Sequence, residues 1–465
     1  MMWLRLRSWL PELAIGIAGG FFFLRDLGTF PAAWADDSLF MIVAKRIATG
    51  HGYTLPVLTE SWQHPFILGV GPTVLWPVAL AVKALGFSVA AARVPMAIYL
   101  AAAAALTYGY TNRYVGRRDA RWAAGLLVTL SAFVNTGKPV LGEIPALAFL
   151  LAGLMLFERV AESWKWACAV GALFGLAVVS KVSFGLVFPA LGVAWIWMAV
   201  RREWDEVRDL AMIGISALAV FLAFGPFLGM GPGLLRDIGE YGLSGGGQVL
   251  NVLRAQPELL LRFPYVYFGV LFALAVIGMW SCRSEIAPAH AIIVWSFIFF
   301  NVVFFLNEHG WFRHLLPAHL LLLPFVPGGA LRLLGRRFAG PVLFFFILAQ
   351  SWWQLTYRGS SWIREGELAA TEVQEHFAET AMVIEQPEVY VRLPENPHWL
   401  FLSDEMKTRD YAGFAGIPKT QAEHCLAVLR KIGDPDARAY GSRMKQVYGR
   451  YYLLLPEEDC VPAAR

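Results

Sequence analysis

The sequence predicts an all-α polytopic membrane protein with about eleven transmembrane helices, followed by a small α+β soluble C-terminal domain. Three observations carry this expectation. Of the 465 residues, 57% are hydrophobic and only 16% charged, where soluble domains carry about 25% charged residues. Apolar runs long enough to span a bilayer recur along most of the chain, and the mean hydropathy is +0.52. From residue 357 onward the composition turns polar, and helix-like and strand-like patterns mix. The net charge of +4 is small and indicates nothing about partners, and nothing in the sequence points to nucleic acid.

Arg5 and Arg7 precede the first apolar run, about 10–28, and no small-residue cleavage site follows it, so the run is expected to be a retained span. The run 68–86 is broken by Gly71-Pro72 and Pro77 and carries Lys83. If it does not cross, the remaining spans fall at about 89–112, 122–137, 144–158, 166–180, 184–200, 209–228, 264–281, 288–306, 315–331 and 340–356. The Lys- and Arg-bearing loops 113–121, 159–165, 201–208 and 332–337, with Arg283, then share a side with Arg5 and Arg7, as the positive-inside rule requires. If it crosses, 113–121 and 332–337 fall on the wrong side. The non-crossing arrangement gives a multi-pass protein of the inner (cytoplasmic) membrane with a cytoplasmic N-terminus. Residues 1–356 form the membrane domain, including a first external loop at 29–88, and residues 357–465 form a periplasmic or extracellular tail. Within the tail, 364–380 and 420–432 are helix-like; 389–391, 399–402 and 447–455 are strand-like. Ser244-Gly245-Gly246-Gly247 marks a flexible loop.

This topology collects the unusual charged residues on one face. Asp36 and Asp37 stand side by side after the first span, and one of them is expected to cap the helix that follows. The pair is read as the acid/base centre of an enzyme, with Asp36 as base and Asp37 and Glu143 in support. Lys181, in Val179-Ser180-Lys181-Val182, and Arg313, between Trp311-Phe312 and Leu315-Leu316-Pro317, are isolated cations in apolar surroundings. They are the first candidates to neutralise a phosphate, followed by Lys138 and Arg46. Taken singly, Lys45, Arg46, Lys138 and His314 read as solvated boundary residues. A divalent metal is left open, with Asp37, Glu60, His64, Glu143 and His309 as candidate ligands. No P-loop and no Gly-rich dinucleotide fingerprint is present, so a donor without nucleotide is favoured. Four cysteines occur, none in a C-x-x-C spacing. In an oxidising compartment Cys425 and Cys460, the two in the tail, are candidates for a disulfide.

Asp36-Asp37 with Gly50-His51-Gly52-Tyr53, Gly71-Pro72-Thr73 with Pro77, Gly142-Glu143-Ile144-Pro145, Ser180-Lys181 and Arg313-His314-Leu315-Leu316-Pro317 occur in one order. Over residues 10–330 this series resembles the C-type (GT-C) membrane glycosyltransferases, the group of the protein O-mannosyltransferases and lipid A aminoarabinose transferases. Glu143 replaces the commoner Asp at the second acidic site, and His314 stands where Tyr is usual. The resemblance implies a first-loop acid acting as base and a polyprenyl-phosphate sugar donor. The acceptor would be an envelope lipid, glycan or protein at the external face. Rivals from other classes are a flippase of a lipid-linked sugar and a non-catalytic subunit of an envelope assembly; charges clustered at one face speak against the flippase.

Overall fold

The computed structural model describes residues 2–65, 69–228, 250–281, 286–308, 310–356, 363–403, 426–431 and 444–455, the side chains of residues 2–8 excepted. Ten helices build the first half of the chain. They are α1 (Met2–Leu24), α2 (Ala35–Ala48), α3 (Pro72–Leu85), α4 (Val89–Tyr114), α5 (Arg117–Thr129), α6 (Ser131–Gly137), α7 (Glu143–Leu156), α8 (Trp164–Ser180), α9 (Val187–Arg201) and α10 (Trp204–Ala223). A short α11 (Asn251–Ala255) precedes α12 (Phe263–Ser281), α13 (Pro288–Asn307), α14 (Phe312–Leu322) and α15 (Val326–Thr356).

Among the described residues, six helical segments are long and apolar enough to cross a membrane: Val89–Tyr114, Glu143–Glu162, Val182–Arg201, Phe263–Ser281, Pro288–Asn307 and Phe312–Thr356. The eleven expected spans are all helical, yet several depart from a simple rod. The segment 122–137 breaks at Leu130, whose extended backbone separates α5 from α6. The expected spans 315–331 and 340–356 are separated at Gly335, whose non-helical backbone (φ 69°, ψ 169°) breaks the helical run. The shorter apolar helices, Trp9–Leu24, Pro72–Leu85 and Trp164–Ser180, pack against longer neighbours. At 14 residues, α3 is about 21 Å long, shorter than the roughly 30 Å hydrocarbon core. That length suits the non-crossing arrangement of 68–86. Large apolar side chains such as Val200, Phe263 and Phe345 lie exposed on outward faces, as expected for surfaces that meet lipid rather than water.

The two ends of the bundle differ in chemistry. At one end Glu12 accepts from Arg117 Nε (2.8 Å), Arg121 Nε (2.9 Å) and Tyr108 Oη (3.0 Å), and Arg113 pairs with Glu158. At the other end Arg93 anchors Asp37. Arg93 and Arg113 lie twenty residues apart on α4, about 30 Å along the helix axis. The expected cytoplasmic basic residues and the acidic first loop therefore occupy opposite ends.

Arg93 and Asp37 form the junction of the acidic end. Both side chains are fully buried, with Arg93 Nη2 2.5 Å from Asp37 Oδ2. Arg93 Nη1 also donates to the carbonyls of Leu27 (3.1 Å) and Pro31 (2.8 Å). The other Asp37 oxygen accepts from the Val140 amide at 2.6 Å. One ion pair thus joins α4, the turn after α1, α2 and the segment that leads into α7.

The tail folds over this end. A five-stranded sheet runs in the order β4-β3-β5-β7-β6, from β3 (Met382–Ile384), β4 (Trp399–Phe401), β5 (Ala427–Lys431), β6 (Met444–Tyr448) and β7 (Tyr451–Leu454). Strand β3 is parallel to β4 and β5, whereas β5, β7 and β6 pair antiparallel. Helices α16 (Glu365–His376) and α17 (Pro387–Tyr390) complete it. The α+β expectation is met, with local corrections. Residues 389–391 are not a strand: Pro387 stands at the first turn of α17, where its missing N–H costs nothing. Residues 427–431 are not helical but a strand held between β3 and β7, tertiary pairing overriding local pattern. The run 447–455 is a hairpin turning at Gly449-Arg450. Ser244–Gly247, Cys282, Cys425 and Cys460 lie outside the described residues.

A second hairpin, unforeseen in the sequence, pairs β1 (Thr54–Val57) with β2 (Glu60–Gln63) in the first loop. It docks on the tail through the Leu58 amide, which donates to the Phe401 carbonyl at 2.7 Å. Lys45 Nζ reaches the Leu393 carbonyl at 2.8 Å, and burial pulls its pKa below the ordinary lysine value, the Glu395 carboxylate opposing. Val43, Val78, Val383, Phe401 and Val428 share one apolar cluster, so the tail and the juxtamembrane helices bury surface against each other.

Two outcomes follow from this architecture. Single cysteines at Arg118 and Glu395, both exposed, in a chain lacking its four native cysteines, are expected to label from opposite sides of the membrane; labelling of both from one side would overturn the topology. Asp37→Ala leaves Arg93 as a buried charge without its carboxylate and is expected to cost about 3–5 kcal/mol. A shift of that size in denaturant unfolding in detergent is the check, with Asp36→Ala much milder.

Candidate active site

Asp36 and Asp37 are neighbours in sequence with different surroundings. Both lie in the first turn of α2, where the helix dipole favours a carboxylate, and neither acts as its side-chain cap, since the N-cap residue is Trp34. Successive helical residues point about 100° apart. Asp37 turns into the protein, where both oxygens are engaged by Arg93 and Val140. It serves as an anchor, a correction to the expectation of a second working acid or metal ligand. Asp36 turns outward, its side chain 25% exposed, and meets Arg313 Nη1 at 2.5 Å.

Arg313 is positioned by α14, whose first residue is Phe312. Its guanidinium lies 5.0 Å from the ring centre of Trp34 and 4.6 Å from that of Trp311. Two indoles holding one cation restrict its travel and shield it from water on their faces. The sequence foresaw Arg313 as an isolated cation but not its partnership with Asp36 across 277 residues.

Glu143 and Lys181 form the second pair. Glu143 is the first residue of α7 and is nearly buried; Lys181 follows the last residue of α8, and Nζ stands 3.6 Å from Glu143 Oε1. Gly142 makes this approach feasible, since a Cβ there would lie 2.1 Å from the Ser180 carbonyl oxygen. Gly71 does the same for α3, where a Cβ would lie 2.3 Å from the Val179 carbonyl oxygen. Thr73 and Ser180 hydroxyls then meet at 2.8 Å, and the Val182 amide donates to the Gly69 carbonyl at 3.1 Å. Glu143 Oε2 is buried and finds no hydrogen-bond donor among the described residues. Because Val140 binds Asp37, the segment that delivers Glu143 is tied to the helix that carries Asp36.

The remaining candidates are held elsewhere. Lys138 is buried and donates to the Arg25 carbonyl at 2.7 Å, with its ammonium near Phe30. Arg46 braces the first-loop hairpin through Thr54 (2.6 Å) and Ser61 (2.9 Å). Neither is spare for a phosphate in this arrangement. Glu60 is exposed on β2, opposite Val57, and His64 packs between Tyr53 and Phe227. His309 lies outside the described residues. Among the described residues no three His, Cys, Asp or Glu side chains gather as metal ligands, and no step is routed through a metal.

Sequence reasoning gave Arg93 no role, although a lone arginine inside an apolar run is a recognisable signal. It also passed over the tail, whose Glu365, Glu388, Lys431 and Arg450 border a cavity of about 380 Å³ together with Trp34 and Arg313. No pattern along the chain brings those residues together.

Residues 63–228 match the dolichyl-phosphate-mannose-protein mannosyltransferase family. No curated protein matches the sequence. The structure is similar to that of ArnT from Cupriavidus metallidurans, solved with undecaprenyl phosphate bound, at a TM-score of 0.67 and 13% identity, covering 97% of each chain. It is also similar to the archaeal oligosaccharyltransferase AglB from Archaeoglobus fulgidus, solved with an inhibitory peptide and a dolichol-phosphate. There the TM-score is 0.55 at 11% identity, covering 84% of this chain and 64% of AglB. This chain thus has the GT-C-like polytopic membrane fold, which it shares with ArnT and AglB.

Proposed function

We propose that the chain is a membrane glycosyltransferase. It moves a sugar from a polyprenyl-phosphate donor to an envelope glycolipid, polysaccharide or protein acceptor at the external face. The observation that carries this reading is the Asp36–Arg313 pair: a partly exposed carboxylate in contact with a cation that lines a cavity, at the end of the bundle where Glu143 and Lys181 also meet.

In this reading Asp36 is the general base. It takes the proton of an acceptor hydroxyl as that oxygen attacks the anomeric carbon and the sugar–phosphate C–O bond breaks. The polyprenyl phosphate leaves with the bonding electron pair. Arg313 engages Asp36 through Nη1, and a guanidinium carries five N–H donors in a planar fork. It can bridge base and leaving phosphate, holding the two reacting partners in register. Lys181 adds a second positive charge and Glu143 fixes its position. Charges in such a partly dried site act more strongly than in water. Direct displacement with inversion is favoured over a covalent glycosyl-enzyme. That alternative needs a second carboxylate, spaced at about 5–5.5 Å, as nucleophile or acid. The nearest in sequence, Asp37, is consumed by Arg93 and Val140.

Transfer from radiolabelled polyprenyl-phosphate sugars by the full-length protein in lipid nanodiscs tests this reading, with mass spectrometry of cell lipid and polysaccharide identifying the product. Asp36→Asn is expected to lower turnover about a hundredfold or more at unchanged protein level; near-normal turnover would remove Asp36 as the base. Lys181→Met and Arg313→Met should each raise the donor KM about tenfold or more, the scale of a lost charged hydrogen bond, and affect acceptor KM less. Unchanged donor dependence in both variants would move the phosphate site elsewhere.

A further inference from the structure

Asn301 stands where the surrounding sequence calls for an apolar residue. It is the one polar residue between Phe297 and Leu306 on α13, and it is only 3% exposed. A buried amide in such a helix is costly unless it is hydrogen-bonded. Asn301 Oδ1 accepts from the Ala318 amide of α14 at 3.1 Å. Ala318 follows Pro317, and Pro317 stands one helical turn after Arg313. Proline has no N–H to offer the carbonyl four residues before it, and its ring crowds that carbonyl. The carbonyl concerned is that of Arg313. The turn that carries the guanidinium is therefore joined to the rest of α14 by a weakened ladder.

Ring contacts surround that turn. His314 lies against the rings of Phe304 (5.4 Å) and Trp311 (5.7 Å), and Phe312 meets Tyr265 at 5.6 Å. Aromatic pairs accept a range of offsets, with centroids about 4.5–7 Å apart, so they set spacing more than register. Directed bonds set register. Ahead of the turn, the Tyr265 hydroxyl of α12 donates to the Gly310 carbonyl at 2.7 Å. Beyond it, Asn301 of α13 holds Ala318. Arg313 lies between these two bonds. From Arg313 to Ala318 the helix rises only about 7.5 Å. A tilt of α14 at Ala318 is thus carried to a guanidinium that meets Asp36 at 2.5 Å.

We propose that Asn301 is a positioning residue for Arg313. Its side-chain carbonyl fixes α14 just beyond the proline, and with it the reach of the guanidinium toward Asp36 and a donor phosphate. The role at the site rests on the transferase reading; the hold on the turn rests on the contacts alone. A plain tie between two helices would add stability and leave donor dependence untouched. A positioning residue changes donor dependence, and does so through Arg313.

Asn301→Leu keeps the size of the side chain and removes the acceptor; Asn301→Ala is the second variant and guards against poor packing of the leucine. Both are made in the full-length protein in nanodiscs and assayed with radiolabelled polyprenyl-phosphate sugars. Donor KM is expected to rise about fivefold, the scale of one neutral hydrogen bond, with kcat and acceptor KM changed less than about twofold. On top of Arg313→Met the same substitutions are expected to add less than about twofold, because residues that act as one unit are not additive. The turn is also read without substrate. Spin labels at Arg313→Cys and Arg118→Cys, in a chain lacking its four native cysteines, report their separation by double electron–electron resonance. The distance distribution is expected to shift or broaden in both Asn301 variants. Superimposable distributions would overturn the hold on the turn, whether or not transfer is seen. An unchanged donor KM, or the full rise repeated on top of Arg313→Met, would overturn the positioning role while the transferase reading stands. A changed distribution in a protein that consumes no polyprenyl-phosphate sugar keeps the hold on α14 and removes the transferase reading.

Discussion

Removing two full charges from water is expensive, and the Arg93–Asp37 pair bears that cost at the centre of the acidic end. It is tolerable because nearly every polar atom of the two side chains has a partner. Arg93 bonds the carboxylate and the Leu27 and Pro31 carbonyls, and Asp37 adds the Val140 amide. The arrangement fixes relations that apolar packing leaves loose. Helices slide and rotate against one another at modest cost when only methyl groups meet, whereas a forked guanidinium accepts one geometry. With α2 pinned, Asp36 has one direction left to face. With residue 140 pinned, α7 begins where Glu143 meets Lys181. The two outward pairs are held by an inward one.

Much of the helical framework was legible because its cause is local. A run of twenty apolar residues must satisfy its backbone internally if it lies in lipid, and the helix does so within itself. Breaks inside the runs were less legible: Leu130 and Gly335 redirect the chain for reasons set by their neighbours. The tail was read correctly as α+β and Trp399–Phe401 is a strand as expected, but β3 and β5 were not foreseen. Ala427–Lys431 acquires its conformation from β3 and β7 on either side, and no local pattern reports them. The docking of the first-loop hairpin escaped notice for a similar reason, since its contact Phe401 lies more than 300 residues further along the sequence.

The site was legible to the extent that charge in an apolar context is conspicuous. Asp36, Glu143, Lys181 and Arg313 stood out against their surroundings, and the structure gathers them as two ion pairs. What the sequence could not apportion was the division of labour between two adjacent aspartates. A helix separates neighbours by a turn of direction, and which one faces inward depends on Arg93. Lys138 and Arg46 drew attention by the same rule yet are spent on the Arg25 carbonyl and the hairpin. The tail residues around the cavity sit in polar sequence, where a charge is unremarked.

The shared apolar cluster and the Lys45–Leu393 contact, 348 residues apart, bear on how the protein comes into being. The ribosome delivers α2 long before it delivers the strands that cover it. Until the last strands arrive, the juxtamembrane helices present Val43, Val78 and their neighbours uncovered at the membrane surface. The apolar face of these helices is therefore covered only once the tail strands have been made. A chain that stops short would hold a finished bundle with an open, sticky lip, the kind of exposed apolar surface that invites aggregation.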